Sequence, residues 1–447
     1  MYRTIRLRWL SMFTIAFLVL SLKAQDYNDK LSLSLDEAQE YAIMHNKAVK
    51  ASRIDIDAAR MSTWEAISGG LPKVDASVLL NDNLVIMTTL LPGEIIGQPG
   101  IYVPVQFGQQ FNAGYGVQVS QLLFNASYFV GIQTAKLAEH LSTENLEKSE
   151  LEIKSTVIST YYLILVSEES INILDKNREN LEKTLRSTRA MYKAGMAEET
   201  DVDQMVSNLS MVDNTRKSME RSLELSYNML RFQLGLKPET EIDLTQTLDD
   251  LLNEVDVIAL NSQDFNIQNN IDFRLLHSQE KMTELNLKMQ KSTVLPTLSG
   301  FYSYNKSGMG NELNDLRWFP NSMIGLQLSI PIFASGQRYS QIRKAQFDLE
   351  RVRINKEMVA DQLYIQEKQL RYNLINANEQ FQSQKENVDV ARRVYLSVEN
   401  KYKQGVASSL DLTQANGNYL DAENNYISSL MNLLQTKLEL DKLLNNL

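Results

Sequence analysis

The stretch YKAGMAEETDVDQ, residues 192–204, recurs 210 residues later as YKQGVASSLDLTQ, residues 402–414. Six positions hold identical residues at this constant offset, and the pairs are Tyr192/Tyr402, Lys193/Lys403, Gly195/Gly405, Ala197/Ala407, Asp201/Asp411 and Gln204/Gln414. Self-similarity at a fixed period indicates that the chain contains two copies of one structural unit.

Long helices are predicted on both sides of each copy. The chain has eight prolines, and none of them falls within residues 127–235 or 332–447. Proline inside a helix costs about 3 kcal/mol or more, so these two segments can hold long uninterrupted helices. Their apolar residues step by three and four positions, which is the spacing of a coiled-coil seam. We therefore expect two antiparallel helical hairpins, with tips at residues 193–200 and 403–410.

Each tip contains the residue types that end one helix and begin the next. Gly195 and Gly405 lie where the first helix must stop, and glycine adopts a positive φ at little cost. The candidate caps of the returning helices are Thr200 in the first copy and Ser408 or Ser409 in the second.

Other segments alternate between apolar and polar residues, as strands with one apolar face do. The clearest are GVQVS at residues 116–120 and GLQLS at residues 325–329. Each is preceded by a segment that begins with Leu-Pro. The predicted strands lie near residues 71–84, 111–124, 295–305 and 323–333.

Helical patterns also precede the first strand of each copy, from Leu35 to about Ser68 and from Asp272 to about Ser292. One repeat thus reads as a helix, two strands joined by a loop, a very long helix and a long returning helix. The expected boundaries are a first repeat at 25–235, an acidic linker at 236–270 and a second repeat at 271–447.

The amino terminus resembles a secretory signal. Arg3, Arg6 and Arg8 precede the apolar run WLSMFTIAFLVLSL, which is too short to span a bilayer as a helix. We expect a signal peptide at residues 1–24, cleaved after Ala24, with an uncleaved membrane anchor as the alternative. No later segment approaches 18 consecutive apolar residues. The chain has no cysteine, which excludes a disulfide scaffold and a lipid attached to an N-terminal cysteine.

Charge and motif content argue against nucleic-acid binding and against catalysis. Cleavage removes four of the 45 Lys and Arg residues and none of the 55 Asp and Glu residues, leaving 41 against 55 and a net charge of −14. Nucleic-acid binding requires a basic face. His45, His140 and His277 have no second ligand at metal spacing, and no nucleotide or hydrolase motif is present. We expect no enzyme activity, no metal and no cofactor.

Four strands with an apolar face cannot close a membrane barrel, because such a barrel needs at least eight. Open strand edges in lipid would leave backbone groups unpaired. Several copies of the chain must therefore contribute strands, and two, three or four copies would give eight, twelve or sixteen.

The internal duplication, the Leu-Pro strand starts at 71 and 295, the turn LQLSIPIFASGQR at 326–338 and the two tips together resemble the TolC-like outer membrane efflux protein family. The resemblance covers nearly the whole chain after the signal. It implies a mainly α protein with a membrane β-barrel part, in which a homotrimer forms a 12-stranded barrel that continues into a periplasmic α-helical barrel. Residues 236–270 and the C-terminus would belong to an equatorial belt.

The resemblance also implies a role for the tips, which in this family close the periplasmic mouth and dock on a periplasmic adaptor protein. Asp411 matches an acidic constriction residue, and Tyr402 and Asp201 match positions that join neighbouring hairpins in the closed state. Gln414 stands where a second acidic ring occurs in relatives, and Ala407 where a basic latch residue occurs. A weaker latch and a less cation-selective mouth are the hypotheses that follow.

Simpler interpretations stay open for these residues. Asp201 and Asp411 are also favourable as first-turn residues beside the helix dipole. Tyr192 and Tyr402 fit the coiled-coil seam. The apolar loop 84–107, about 15 residues longer than its counterpart in the second repeat, is expected to fold over the barrel mouth and pack on itself, with an exposed receptor-like surface as the alternative.

The expected function is an exit channel in the outer membrane of a Gram-negative bacterium. It would passively conduct exported small molecules or proteins from an adaptor and a proton-driven or ATP-driven inner-membrane transporter, as part of a tripartite efflux or type I secretion system. The alternative is an exported coiled-coil structural or surface protein without channel activity. That alternative explains the heptads but not the period-two strands.

Overall fold

The computed structural model describes residues 31–97, 99–253 and 256–447. The expected signal peptide at residues 1–24 lies outside this part. The chain divides into two compact units, which are described separately. The first unit comprises the segments up to Ala51, Lys148–Asn266 and Tyr364–Leu447, and the second comprises Ser52–Glu147 and Ile267–Leu363.

Nine helices and eight strands occur in the described residues. The helices are α1 (Leu35–His45), α2 (Lys47–Ser68), α3 (Ala126–Lys193), α4 (Glu199–Leu234), α5 (Leu248–Asn253), α6 (Val257–Ser262), α7 (Ile271–Ser292), α8 (Gln337–Lys403) and α9 (Ser409–Leu444). The strands are β1 (Leu31–Leu33), β2 (Lys73–Asp82), β3 (Thr88–Pro92), β4 (Tyr102–Gln106), β5 (Phe111–Phe124), β6 (Ile242–Leu244), β7 (Thr297–Gly310) and β8 (Arg317–Ser329).

Two helical hairpins dominate the first unit. α3 turns into α4, and α8 turns into α9, with both turns and both returning helices at the 210-residue offset of the sequence repeat. Among the described residues, only α3 is long and apolar enough to cross a membrane by length and composition, and 56% of its most apolar window is buried inside the chain.

Far from the tips, the first unit has a core of buried aliphatic and aromatic side chains. β1 pairs with β6 in parallel, from Leu31 opposite Ile242 to Leu33 opposite Leu244. The Tyr161 side chain is fully buried beside this pair, and its hydroxyl donates to the Leu33 carbonyl at 3.2 Å. The linker between the repeats thus contributes β6, α5 and α6, so it is structured rather than extended.

The helical segment expected from Leu35 to Ser68 is broken at Asn46, so that expectation of one helix was wrong. Asn46 has an extended backbone with ψ 136°. Its side-chain oxygen accepts from the Ala48 N–H at 2.7 Å, and its amide donates to the Gln233 carbonyl at 2.7 Å. Asparagine competes with the helix for local backbone hydrogen bonds and caps the helix that follows, which explains the interruption.

The second unit contains a four-stranded antiparallel sheet in the order β2-β5-β7-β8. One row across all four strands is apolar, and it consists of Val74, Val119, Tyr302 and Ile324. The adjacent row is mostly polar, and it consists of Asp75, Gln118, Ser303 and Met323. Because side chains alternate between the faces of a sheet, one face is apolar and the other largely polar. Val78 and Ile324 on the apolar face are 85% and 83% exposed within one chain.

The last strand differs from its expected bounds of 323–333. β8 begins six residues earlier, because Arg317 pairs with Met309 at the hairpin turn. It ends at Ser329, two residues before Pro331. Proline has no backbone N–H to donate to a strand ladder, which accounts for the end of the strand.

The loop between β2 and β5 contains a small antiparallel ribbon of β3 and β4. Leu84, Val85 and Met87 beside it are 70–89% exposed. A two-stranded ribbon has no second layer to cover its apolar side chains. The expectation that this loop packs on itself therefore does not hold for these residues within one chain.

Candidate functional site

The two hairpin tips lie in the first unit and share one backbone conformation. Gly195 has φ +72° and Gly405 has φ +73°, and both lie in the left-handed region that favours glycine. A side-chain carbon at either position would have no atom within 4 Å. The glycines are therefore required by the backbone turn and not by crowding.

In the second tip, Asp411 and Ser408 form a capping box at the start of α9. Ser408 is the N-cap residue, and its Oγ accepts from the Asp411 N–H at 3.1 Å. The Asp411 carboxylate accepts in return from the Ser408 N–H at 2.9 Å and from the Ser408 hydroxyl at 2.7 Å. These bonds from the Ser408 side chain and backbone hold the pKa of Asp411 below its usual value.

In the first tip, Asp201 reaches across to the second tip. It accepts from the Glu198 N–H at 2.9 Å, as Asp411 does from Ser408. Its other carboxylate oxygen accepts a short hydrogen bond from the Ser409 hydroxyl. The cap of this helix is Glu198, so the expectation of Thr200 was wrong, since Thr200 lies inside the first turn. The expected alternative of Ser409 as a cap was also wrong, because that hydroxyl joins the two tips.

The two tyrosines of the repeated stretch have different surroundings. Tyr402 is 5% exposed, whereas Tyr192 is 45% exposed. The Tyr402 and Thr188 hydroxyl oxygens are 2.8 Å apart, and Thr188 donates its own proton to the Thr184 carbonyl at 3.1 Å. Tyr402 is therefore the donor in this bond, which links α8 to α3.

An apolar cluster beneath the tips is built from all four hairpin helices. Its buried members are Leu185, Met205, Tyr395, Tyr402, Leu412 and Ala415. Ala407, which the family resemblance places at a latch position, packs partly buried against this cluster. Its methyl group contributes packing and no charge.

Amide side chains make further links along the hairpins. Gln414 donates to Asn418 at 2.9 Å within α9, and Gln204 donates to Asn208 at 3.3 Å within α4. Asn208 also donates to Thr413 at 3.1 Å, which joins the two hairpins. A buried bond of 2.9 Å between Asn177 and Asn416 joins them farther from the tips.

The structure thus joins Asp201 to the second tip and packs Tyr402 and Ala407 into one cluster beneath the tips. Tyr192, Asp411 and Gln414 are exposed, and the hydrogen bonds of Asp411 and Gln414 stay within their own hairpin. Gly195 and Gly405 form the turns. Sequence reasoning missed Thr188, Ser409 and the asparagine pair as partners. A signal existed for Thr188, because it is a polar residue at a seam position that apolar residues usually occupy. In the described part of the chain, no group of three or more His, Asp or Glu side chains could hold a metal ion.

The family model for outer membrane efflux proteins matches residues 40–236 and 266–446, which include both hairpins and all four strands of the sheet. The chain belongs to the outer membrane efflux protein family. The two matched blocks correspond to the two repeats, and the gap between them falls in the linker.

Two relatives of known name are similar at low identity. The outer membrane protein TolC of Vibrio cholerae is 21% identical over 243 residues, which cover 52% of this chain and 53% of that protein. The toxin and drug export protein A of Aggregatibacter actinomycetemcomitans is 22% identical over 321 residues, which cover 68% of this chain and 69% of that protein. The alignment with the first relative therefore spans only about half of its length.

The fold agrees over most of the chain with a solved structure. The outer membrane protein VceC of Vibrio cholerae superimposes with a TM-score of 0.73 at 14% sequence identity, covering 92% of this chain and 95% of that chain. The family consists of outer membrane efflux proteins, and this structural neighbour is an outer membrane protein. The expected mainly α architecture with long helices and a smaller β part is confirmed.

Proposed function

We propose that this protein is the outer-membrane exit channel of a tripartite efflux or type I secretion system, and that it conducts exported small molecules or proteins passively to the exterior. The observation that carries this proposal is the four-stranded sheet with one exposed apolar face, in a chain of the outer membrane efflux protein family. An apolar face that water would otherwise cover fits a lipid environment.

The sheet also supports assembly into a homotrimer. β2 and β8 are its two edge strands, and neither has a second partner in the described residues. A transmembrane sheet must close so that every backbone group is paired. Three copies joined through β2 of one copy and β8 of the next would give the 12-stranded barrel that the family resemblance implies.

A cysteine scan tests this closure, because the chain has no cysteine of its own. Cysteine at Ala76 in β2, combined with single cysteines along residues 319–325 of β8, should give disulfide-linked trimers at one or two positions of the scan. The control pair is Val117 and Tyr304, which are register partners within one chain and should bond without changing the mass. A water-soluble monomer that never cross-links would support the coiled-coil alternative.

The proposed periplasmic gate consists of the two tips. Its residues are Tyr192, Gly195, Asp201, Tyr402, Gly405, Ala407, Asp411 and Gln414. Asp201 and Tyr402 supply the cross-links that hold the tips together, since their bonds to Ser409 and Thr188 join the two hairpins. Asp411 is exposed, so three copies around one axis would present a ring of carboxylates that attracts cations.

Channel current in planar lipid bilayers tests the gate. Asp411→Asn keeps an oxygen that can accept from Ser408 and removes the charge, so the ratio of cation to anion permeability should fall. Asp203→Asn is the matched control, because it removes one exposed carboxylate from the other tip. No pore in the wild-type protein would refute the channel itself. A pore whose selectivity responds equally to both substitutions would refute only the role of Asp411.

The proposed partners are a periplasmic adaptor protein at the tips and an inner-membrane transporter, driven by protons or by ATP, behind it. Outer-membrane lipid would surround the barrel. No cofactor, metal or nucleic acid enters this proposal. Co-purification with the adaptor should depend on the tips, so a chain with both tip loops replaced by Gly-Ser of equal length should assemble in the membrane but lose the adaptor.

A further inference from the structure

A cavity of about 440 Å³ lies in the first unit between α3, α8 and α9. Its volume falls within the range of about 300–1,000 Å³ that is typical of small-molecule sites. Aromatic and charged side chains line it, and those that matter here are Lys176, Arg392, Tyr395, Tyr419, Glu423 and Tyr426. No residue of the proposed gate is among the lining residues.

Glu423 places an incompletely paired carboxyl group in the wall of this cavity. Its side chain belongs to a residue that is only 8% exposed, and its Oε2 has no hydrogen-bond partner. Tyr395 is 2% exposed, and its hydroxyl also has no partner. Buried polar groups are nearly always hydrogen-bonded, so two orphan atoms in one cavity point to a ligand that supplies donors.

The first repeat shows what normally pairs with this carboxyl group. The residue 210 positions before Glu423 is Asp213, and the Arg178 Nε donates to its Oδ1 at 2.6 Å. Arg178 also pairs with Glu182 at 2.8 Å. At the position equivalent to Arg178, the second repeat has Val388, which lines the cavity. The second repeat therefore keeps the acid and lacks the guanidinium group that neutralises it.

A second arginine of the first repeat is also absent from the second repeat. Arg216 in the first repeat pairs with Asp175 at 2.5 Å and with Glu220 at 3.0 Å. Its equivalent in the second repeat is Tyr426, which also lines the cavity. The partners of Arg216 are replaced as well, by Lys385 and Leu430. The two missing arginine side chains therefore leave space, and Glu423 is the one acid of these pairs that the second repeat keeps.

The cations already present do not complete the pairing. Burial raises the pKa of Glu423, while a hydrogen bond from Tyr419 and the charges of Lys176 and Arg392, which line the cavity, lower it by less. In the described part of the chain, neither side chain forms an ion pair with Glu423. The other acids of the lining are Glu169, Asp389 and Glu179, and Glu179 is already paired with Lys183 at 2.7 Å.

We propose that this cavity binds an organic cation through its guanidinium or primary ammonium group, with Glu423 as counter-ion and Tyr395 and Tyr419 as aromatic walls. The rings of these two tyrosines are nearly parallel, with centroids 5.7 Å apart. A cation beside tyrosine rings gains a further electrostatic attraction to their π faces. The ligand takes the place in the second repeat that the Arg178 guanidinium takes in the first.

Calorimetric titration of the full-length protein in detergent with arginine ethyl ester tests the site, since this probe carries a guanidinium group and no carboxylate. Wild type should show saturable binding. Glu423→Gln should weaken it about tenfold or more, because hydrogen bonds to a charged group are worth at least that factor. Val388→Arg, which rebuilds the arginine of the first repeat, should abolish it.

The matched control is Asp213→Asn, which removes the equivalent carboxylate where Arg178 already occupies it, and its affinity for the ester should equal that of wild type. Circular dichroism of each variant establishes that the helices are intact. No saturable binding to wild type, or unchanged affinity in either Glu423→Gln or Val388→Arg, would overturn the proposal. The site rests on the cavity and the repeat comparison, so loss of channel activity would leave it standing.

Discussion

The two hairpin tips carry the same sequence pattern and the same backbone, yet their side chains have different partners. Tip one turns at Gly195 and tip two at Gly405 with φ values one degree apart. In tip two the acid Asp411 bonds only to Ser408 of its own turn, whereas in tip one Asp201 bonds to Ser409 of the other tip. The residues equivalent to Ser408 and Ser409 in tip one are Glu198 and Glu199, which cannot donate a hydroxyl.

This difference shows that a duplicated pattern encodes the turn, while divergence at two or three positions assigns separate tasks to the copies. Tip two closes on itself and presents its acid to solvent. In tip one, Asp201 forms a hydrogen bond that joins the two hairpins. The four predictions that follow test this division, and the first three compare a substitution in one tip with its equivalent in the other.

The largest difference is expected between the two tyrosines. Tyr402→Ala should lower the stability of the tips by about 3–5 kcal/mol, because it empties a buried aromatic site and removes the bond to Thr188. Tyr192→Ala should change it by no more than about 0.5 kcal/mol, because that side chain is 45% exposed. Hydrogen–deuterium exchange of the tip amides measures both, and equal loss of protection would contradict the comparison.

The glycines should behave alike, in contrast to the tyrosines. Gly195→Ala and Gly405→Ala should each destabilise their own tip by about 1–2 kcal/mol, because alanine is strained at positive φ. Gly417→Ala is the control, and it should change stability in the opposite direction. It lies inside α9 with open space around it, so alanine should stabilise by about 0.5–1 kcal/mol. Local exchange protection is again the measurement, and a cost in only one tip would show that the turns differ.

The contact between the tips should appear as a coupling energy. Ser409→Ala and Asp201→Ala should be coupled by about 0.5–1.5 kcal/mol, since they remove the donor and the acceptor of one hydrogen bond. Ser409→Ala with Asp411→Ala is the control cycle and should be additive, because Asp411 bonds to Ser408 and not to Ser409. Denaturant unfolding of the four variants in each cycle gives these values. Coupling of similar size in both cycles would mean that Ser409 acts through the backbone.

The smallest effect is a pH dependence confined to tip two. The pKa of Asp411 is lowered by its bonds to Ser408, so these bonds stabilise the helix start at pH above the usual aspartate value of 3.8. The stabilisation is lost as pH falls through the lowered pKa. Exchange protection of the amides near 408–412, corrected for intrinsic rates, should fall below about pH 4 in wild type and should lose this dependence in Asp411→Asn. A pH dependence that persists in that variant would assign the effect to another group.

Much of the fold followed from local pattern. The proline-free heptads predicted the long hairpins, and Gly195 and Gly405 predicted their turns. Both inferences succeed because helix periodicity and positive φ depend on residues close in sequence. The alternating strands also followed from period two. The break at Asn46 and the ribbon of β3 and β4 did not, since the first depends on a bond to Gln233, 187 residues away, and the second on an irregular apolar loop.

The sequence by itself determined the duplication, the hairpins, the turns and the two-faced strands, since each depends on residues within a few turns or one strand of each other. Only the tertiary structure decided that Tyr402 and not Tyr192 is buried, that Asp201 bonds to Ser409, and that the Glu423 Oε2 has no hydrogen-bond partner. Those outcomes depend on residues about 200 positions apart that meet through helix packing, and no local period encodes which of two equivalent side chains will face a neighbour.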